Sequence, residues 1–191
     1  MEDRPDPNAE VTGERKDFAE VYDEHVWSVY GFFGYRLGSR QEAEDLTQST
    51  FEKALRAWDS YDERRGTIVT WLMAIARNTL IDHQRRDRSS RHESLDAHGD
   101  GEAMVGHTPA EEPLGVSPDL EAALSRLGER ERELIALRFG GDLTGRQIAQ
   151  LMGLSVANVQ QILSRVLRQL RQELERSAAD QPADVEGPPG R

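Results

Sequence analysis

Cysteine is absent from all 191 residues, which excludes disulfides and thiolate metal sites and fits a reducing cytosol. Lysine is almost absent as well: Lys16 and Lys53 are the only two among 24 basic residues, a bias that reflects genome base composition rather than function. No apolar run is long enough to span a membrane, and no stretch near the start resembles a signal peptide, so a cytoplasmic chain without membrane insertion is expected. An excess of positive charge is also missing. The formal net charge of -11 argues against a passive nucleic-acid coat, so any contact with nucleic acid must come from local patches.

Such patches are present. Arg85, Arg86, Arg88 and Arg91 form one cluster, and Arg165 to Arg176 another, while Glu93 to Glu121 holds acids and no lysine or arginine. The first cluster ends the stretch IVTWLMAIARNTLIDHQRRDRSSR. At about 100° per residue, Ile68, Leu72, Ile75, Ala76 and Thr79 share one apolar arc of a helix. Trp71, Asn78, Asp82 and Arg85 share a neighbouring polar arc. Two readings fit this pattern. One is a core helix whose arginines complement its own C-terminal dipole. The other is a surface for melted nucleic acid, with arginine for phosphate and ring and amide for a base.

The remaining segments read as helices too. Phe18, Tyr22, Val26, Val29, Phe33 and Leu37 recur at helical spacing, with Gly38 as the expected stop. Ser39 with Glu42 forms the pattern of a capping box for a second helix. In that helix Ala43, Leu46, Thr50, Ala54, Leu55 and Trp58 are expected inward, and Glu42, Asp45, Gln48 and Glu52 outward. Such an acidic face is either plain solvated surface or a grip for a basic protein partner. Asp59 to Thr67 (DSYDERRGT) reads as a mobile loop overhanging the polar arc that begins at Trp71. His98 and His107 lack the spacing of a metal site, and neither a metal nor a cofactor is expected.

After the acidic stretch, Ser117-Pro118 supplies an N-cap and a first-turn proline. Leu120, Ala123, Leu124 and Leu127 mark one helix, and Leu134 to Phe139 the next, broken by Gly140-Gly141-Asp142. Then follows TGRQIAQLMGLSVANVQQILSRVLRQLRQEL. Thr144 with Gln147 matches a capping box, Ala149 permits close helix crossing, Gly153 permits a positive φ, and Ser155 caps the next helix. Ile148, Ala149, Leu151, Val159, Ile162, Leu163 and Val166 are expected inward. This is the layout of a helix-turn-helix. Its outward Ser155, Val156, Ala157, Asn158, Gln160 and Gln161 suit the major groove, and Arg165, Arg168 and Arg171 suit phosphate or simply solvent.

The expected fold class is therefore all-α: two small helical domains joined by a flexible acidic linker. The expected boundaries are a disordered tail over 1–16, a first domain over 17–91, the linker over 92–117, a helix-turn-helix domain over 118–176, and a second tail over 177–191.

In this order the segments resemble an RNA polymerase sigma factor of the sigma-70 family, in the compact form of its extracytoplasmic-function group. AEDLTQSTFEKALRAW resembles region 2.2, TWLMAIARNTLIDHQRR resembles regions 2.3 and 2.4, and LSRLGERERELIALRF with the helix-turn-helix resembles region 4. The resemblance implies that Asp45, Gln48, Glu52 and Leu55 bind core RNA polymerase through its β′ clamp, with the β flap as a second contact. It implies that Tyr61, Trp71, Arg77, Asn78, Arg85, Arg86 and Arg88 meet the −10 element. Ser155, Val156, Ala157, Asn158, Gln160, Gln161, Arg165 and Arg168 would meet the −35 element. Promoter DNA and an anti-sigma factor are the further partners it implies.

Three departures from the family pattern stand out. Ser49 replaces an acid often found in region 2.2, Ala74 and Ile75 replace the tryptophan pair of housekeeping relatives, and Gln160 replaces a basic residue of the recognition helix. No spaced nucleophile–base set is present, so a specificity subunit rather than a catalyst is expected. The acid-only run is expected to keep the free chain off DNA. The competing readings are a helix-turn-helix repressor or activator that acts without being a polymerase subunit, and a DNA-processing enzyme such as a recombinase with a helix-turn-helix tail.

Overall fold

The computed structural model describes residues 16–95 and 117–180. The tail positions before 16, the linker positions 96–116 with most of the acid-only run, and positions 181–191 lie outside the described residues. Among the described residues the regular elements are all helices, as the periodicities require.

Helix α1 spans Phe18–Gly34 and is capped by Asp17. It stops short of the expected Gly38, because the chain tightens after Tyr35, where the Arg36 N–H bonds the Phe33 carbonyl three residues back at 2.9 Å. Val29 and Phe33 are buried as the spacing requires, and Phe18, Val26 and Leu37 pack beside them half-buried; the buried arc is wider than the one read from spacing, adding Val21 and Phe32, and Tyr22 is exposed. Helix α2, Arg40–Arg56, starts at Ser39, whose hydroxyl accepts the Glu42 N–H. The reciprocal arm of the expected capping box is not made; the Glu42 carboxylate faces His83 at 3.7 Å. Ala43, Leu46, Thr50 and Ala54 are buried as expected, together with Phe51, but Leu55 points outward. A short 3-10 turn over Trp58–Ser60 leads into the loop before α3, which runs over Ile68–Leu95, beyond the Arg91 boundary.

The second half opens with α4, Pro118–Ser125, capped by the Ser117 hydroxyl, and α5, Glu129–Ile135. Helix α5 does not simply stop at the glycines. It widens into a π turn over Ala136–Gly140, closed by the Gly141 N–H on the Ala136 carbonyl. Asp142 then takes a left-handed φ of 51°. Helix α6, Gly145–Met152, carries the full Thr144–Gln147 capping box and ends at Gly153 with φ 65°. Helix α7 spans Val156–Asp180, past the boundary placed at position 176.

Sequence spacing did not disclose how the halves meet. Helix α1 lies against the π turn so closely that a Cβ on Gly31 would sit 2.7 Å from the Gly140 carbonyl oxygen. Met73 of α3 packs beside Gly141, and one continuous apolar cluster runs from Val21 through Leu72 and Leu137 to Val166.

Leu72 is fully buried in this cluster. Leu72→Ala is expected to lower the unfolding free energy by about 2–5 kcal/mol, measured by urea denaturation. Gly153→Ala, which forces a side chain into the left-handed region, is expected to cost about 1–2 kcal/mol in the same assay.

Candidate nucleic-acid and partner interfaces

Three surfaces carry chemistry beyond packing. The first is a groove of about 620 Å³ between α1 and α2, lined by Tyr22, Trp27, Gln48, Phe51, Glu52 and Leu55 among others. Trp27 is 76% exposed and Leu55 57%, so large apolar groups stand at its rim in water. Gln48 donates to Glu52 along the wall, and Asp45 is exposed on the same helix. Exposed apolar groups beside polar ones along an open groove suit a protein helix better than a small ligand. Tyr22, Val26, Trp27 and Tyr30 of α1 belong to this groove. Spacing placed Tyr22 and Val26 in the core stripe and left Trp27 and Tyr30 unassigned, because a helical stripe of large apolar residues reads as core; Val26 and Tyr30 are half-buried, and Tyr22 and Trp27 stand exposed.

The second surface is the Asp59–Thr67 loop with α3. This loop is braced rather than slack. Tyr61 stacks on Trp58 with centroids 5.5 Å apart and planes 4° from parallel, and both rings lean on Trp71. The Tyr61 hydroxyl donates to the Gly66 carbonyl at 3.0 Å. Burial, then Glu63 and Asp62, hold this phenol above its ordinary pKa, so it stays a donor at neutral pH. Thr67 and Thr70 share a hydroxyl bond at the start of α3. Further along, Asn78, Arg85, Arg86 and Arg88 are exposed on the helix. Arg77 is not: its Nε donates to Glu133 of α5 at 2.6 Å, and its Nη1 reaches the Leu151 carbonyl. The structure thus places Trp71, Asn78, Arg85, Arg86 and Arg88 along α3, with Tyr61 packed on Trp71 from the loop, and places Arg77 at the junction of the halves.

The third surface is the start of α7. Ser155, Val156, Ala157, Gln160, Gln161, Arg165 and Arg168 are exposed, and Asn158 is half-buried with its N–H on the Ser155 hydroxyl. Val159, Ile162 and Val166 hold the helix from below. Arg165 is paired with Glu131 of α5 at 2.7 Å, and Arg168 stands a turn beyond it on the exposed side.

Away from these surfaces, Glu42, His83 and Asp87 each bring one oxygen or nitrogen within 4.8 Å of the others. The imidazole Nε2 lies 3.5 Å from Asp87 and 3.7 Å from Glu42, a charge-pairing geometry that ties α2 to α3. His98 and His107 lie outside the described residues.

Comparison with known proteins places both halves. The family model for Sigma-70 region 2 matches residues 21–90, and that for Sigma-70, region 4 matches residues 123–172. The chain is 31% identical over 157 residues to the ECF RNA polymerase sigma factor RpoE of Cereibacter sphaeroides, covering 82% of this chain and 86% of that one. It is also 31% identical over 164 residues to ECF RNA polymerase sigma factor BldN of Streptomyces coelicolor, covering 83% of this chain but only 60% of that relative's length. Among solved structures, the sigma factor RpoE in complex with the anti-sigma factor NepR from Bartonella quintana superposes with a TM-score of 0.66 at 23% identity. That match covers 84% of this chain and 98% of the other, and it speaks to the fold.

The bracing of the loop is testable on the protein alone. Tyr61→Phe removes one hydrogen bond worth about 1 kcal/mol. Amide hydrogen exchange over positions 62–67 is expected to speed up about fivefold while the helices keep their protection.

Proposed function

The chain belongs to the sigma-70 family, among the extracytoplasmic-function RNA polymerase sigma factors, and we propose that it works through the three surfaces in sequence. The groove between α1 and α2 takes a helical element of core polymerase, with Gln48, Glu52 and Leu55 in its lining and Asp45 as a further contact from the exposed side of α2. Docking there delivers the loop and α3 to the non-template strand. Tyr61 and the aromatic brace behind it support a base turned out of the stack, Asn78 reads an adjoining base edge, and Arg85, Arg86 and Arg88 hold phosphates. Stacking contributes about 1–3 kcal/mol per base. The α7 face enters the duplex major groove upstream, where Gln160 and Gln161 favour adenine edges and each good contact contributes about 1–3 kcal/mol. Neither half binds strongly alone. Joined on core at fixed spacing, each raises the effective concentration of the other.

The observation that carries this reading is the coexistence, on one short chain, of an exposed apolar groove and two separate faces of exposed amides and arginines. A repressor needs only the last of the three. In this account the chain supplies specificity and no catalysis, works in the cytoplasm and is associated with the nucleoid when bound to polymerase. The apolar groove and the exposed Leu167 and Phe139 also offer surface to an anti-sigma partner of the kind seen with the structural relatives.

The test is co-elution with core RNA polymerase, followed by transcription in vitro from a genomic promoter library. Failure of both rejects the reading, and tight specific DNA binding without core would favour a free-standing regulator. Asp45→Arg is expected to abolish co-elution while leaving the circular dichroism spectrum unchanged. Asn78→Ala is expected to keep co-elution and to weaken promoter opening by about 1–3 kcal/mol, read as open-complex formation.

A further inference from the structure

Glu42, His83 and Asp87 meet where the first turn of α2 packs on the second half of α3, and neither the docking groove nor the two faces of amides and arginines uses them. Glu42 stands where a capping box would turn its carboxylate back to the Ser39 N–H, yet its Oε1 lies 3.7 Å from the His83 Nε2. His83 and Asp87 are one turn apart, so their side chains share a face of α3, with Nε2 3.5 Å from the Asp87 Oδ2. One donor atom from each of the three residues lies within 4.8 Å of the other two.

These separations have a chemical meaning. A hydrogen bond between an imidazole and a carboxylate runs to about 2.7–3.2 Å. At 3.5 and 3.7 Å the ring nitrogen stands between two carboxylates and is bonded to neither. Donor atoms held about 2.0–2.2 Å from a zinc ion at tetrahedral angles are about 3.3–3.6 Å from one another. The two observed spacings are close to those of a ligand shell, and a small rotation of one carboxylate brings in the third. Two carboxylates alone would be ordinary surface; the imidazole distinguishes this set. Magnesium and calcium take shells of oxygen, whereas imidazole with carboxylates suits zinc and its late first-row neighbours. The Glu42 and Asp87 side chains are 45% and 46% exposed, so water can complete the shell.

We propose that Glu42, His83 and Asp87 bind one divalent ion of the zinc class, and that the ion clamps the first turn of α2 to α3. The site stands independently of the function proposed above. Within that function, the clamp ties the helix that docks on core to the helix that carries Arg85, Arg86 and Arg88. At about 100° per residue, His83 and Asp87 lie on the side of α3 away from Asn78 and Arg85, so the ion leaves the reading face clear. Sequence spacing passed over the site, because only the packing of α2 on α3 brings Glu42 to His83.

The test uses the full chain, stripped of metal with EDTA, and ZnCl2 as the probe. Isothermal titration at neutral pH is expected to show one site per chain with micromolar affinity. At about a hundred times Kd, zinc is expected to raise Tm by about 5–10 °C, and MgCl2 at the same concentration to leave it unmoved. His83→Asn, Glu42→Gln and Asp87→Asn are each expected to keep the circular dichroism spectrum and to weaken zinc binding at least about tenfold. His25, His92, His98 and His107 are the competing imidazoles of the chain. Amide hydrogen exchange separates them: zinc is expected to slow exchange at the start of α2 and over positions 80–87, and not in α7. Affinity no tighter than millimolar, a magnesium response equal to that of zinc, or zinc binding unmoved by His83→Asn overturns the site. Co-elution with core is read separately, so the site and the functional reading fail by different measurements.

Discussion

Backbone meets backbone where α1 crosses the π turn, and this contact sets the geometry of everything beyond it. Gly31 and Gly140 leave no side chains between the two elements, so the halves approach to a distance no other pair of residues would allow. Helix α5 is then close enough for Glu129 and Glu133 to reach Arg36 and Arg77, and α6 close enough to touch the loop. The polar bonds follow from the glycines. Weak ion pairs at a surface hold little by themselves, but here they are brought into register by a close-packed seam that also includes Met73 and Leu137.

Local chemistry was the legible part of the sequence. The caps at Ser117, Thr144 and Ser155, and the left-handed Gly153, stand where short-range rules put them, because each depends on a few neighbouring residues. The all-α class and the exposed Asn78 and Arg85 follow from periodicity within a single helix. What spacing left out was a second arc. The stripe on α1 held at Val29 and Phe33, which are buried, and at Phe18, Val26 and Leu37, which pack on the core, but Tyr22 is exposed and the buried Val21 and Phe32 lie off the stripe. A helix touched on two sides has two apolar arcs, and spacing alone does not rank them. For the same reason Met73 and Arg77, which answer to a partner far away in the chain, were either unassigned or assigned to solvent-facing DNA contact.

The loop before α3 shows a subtler gap. Its composition, charged and with a glycine, reads as mobile, yet Tyr61 is held in a three-ring cluster with Trp58 and Trp71 and by a bond to the Gly66 carbonyl. The bracing residues Trp58 and Trp71 lie outside the loop, one on either side, so no window confined to the loop contains the cause of its order. A pre-ordered loop loses less entropy on receiving a base than a slack one, which favours capture of a strand already melted.

The π turn over Ala136–Gly140 has one more effect. Winding an extra residue into a helix delays its angular phase, much as a single added tooth retards a gear. Upstream of it, α5 presents its acids to the first half; downstream, the glycines and Asp142 launch α6 in a new direction. Deleting that one residue would restore ideal winding and swing the whole DNA-reading end around its axis. An imperfection in the spiral therefore acts as the molecule's angular reference.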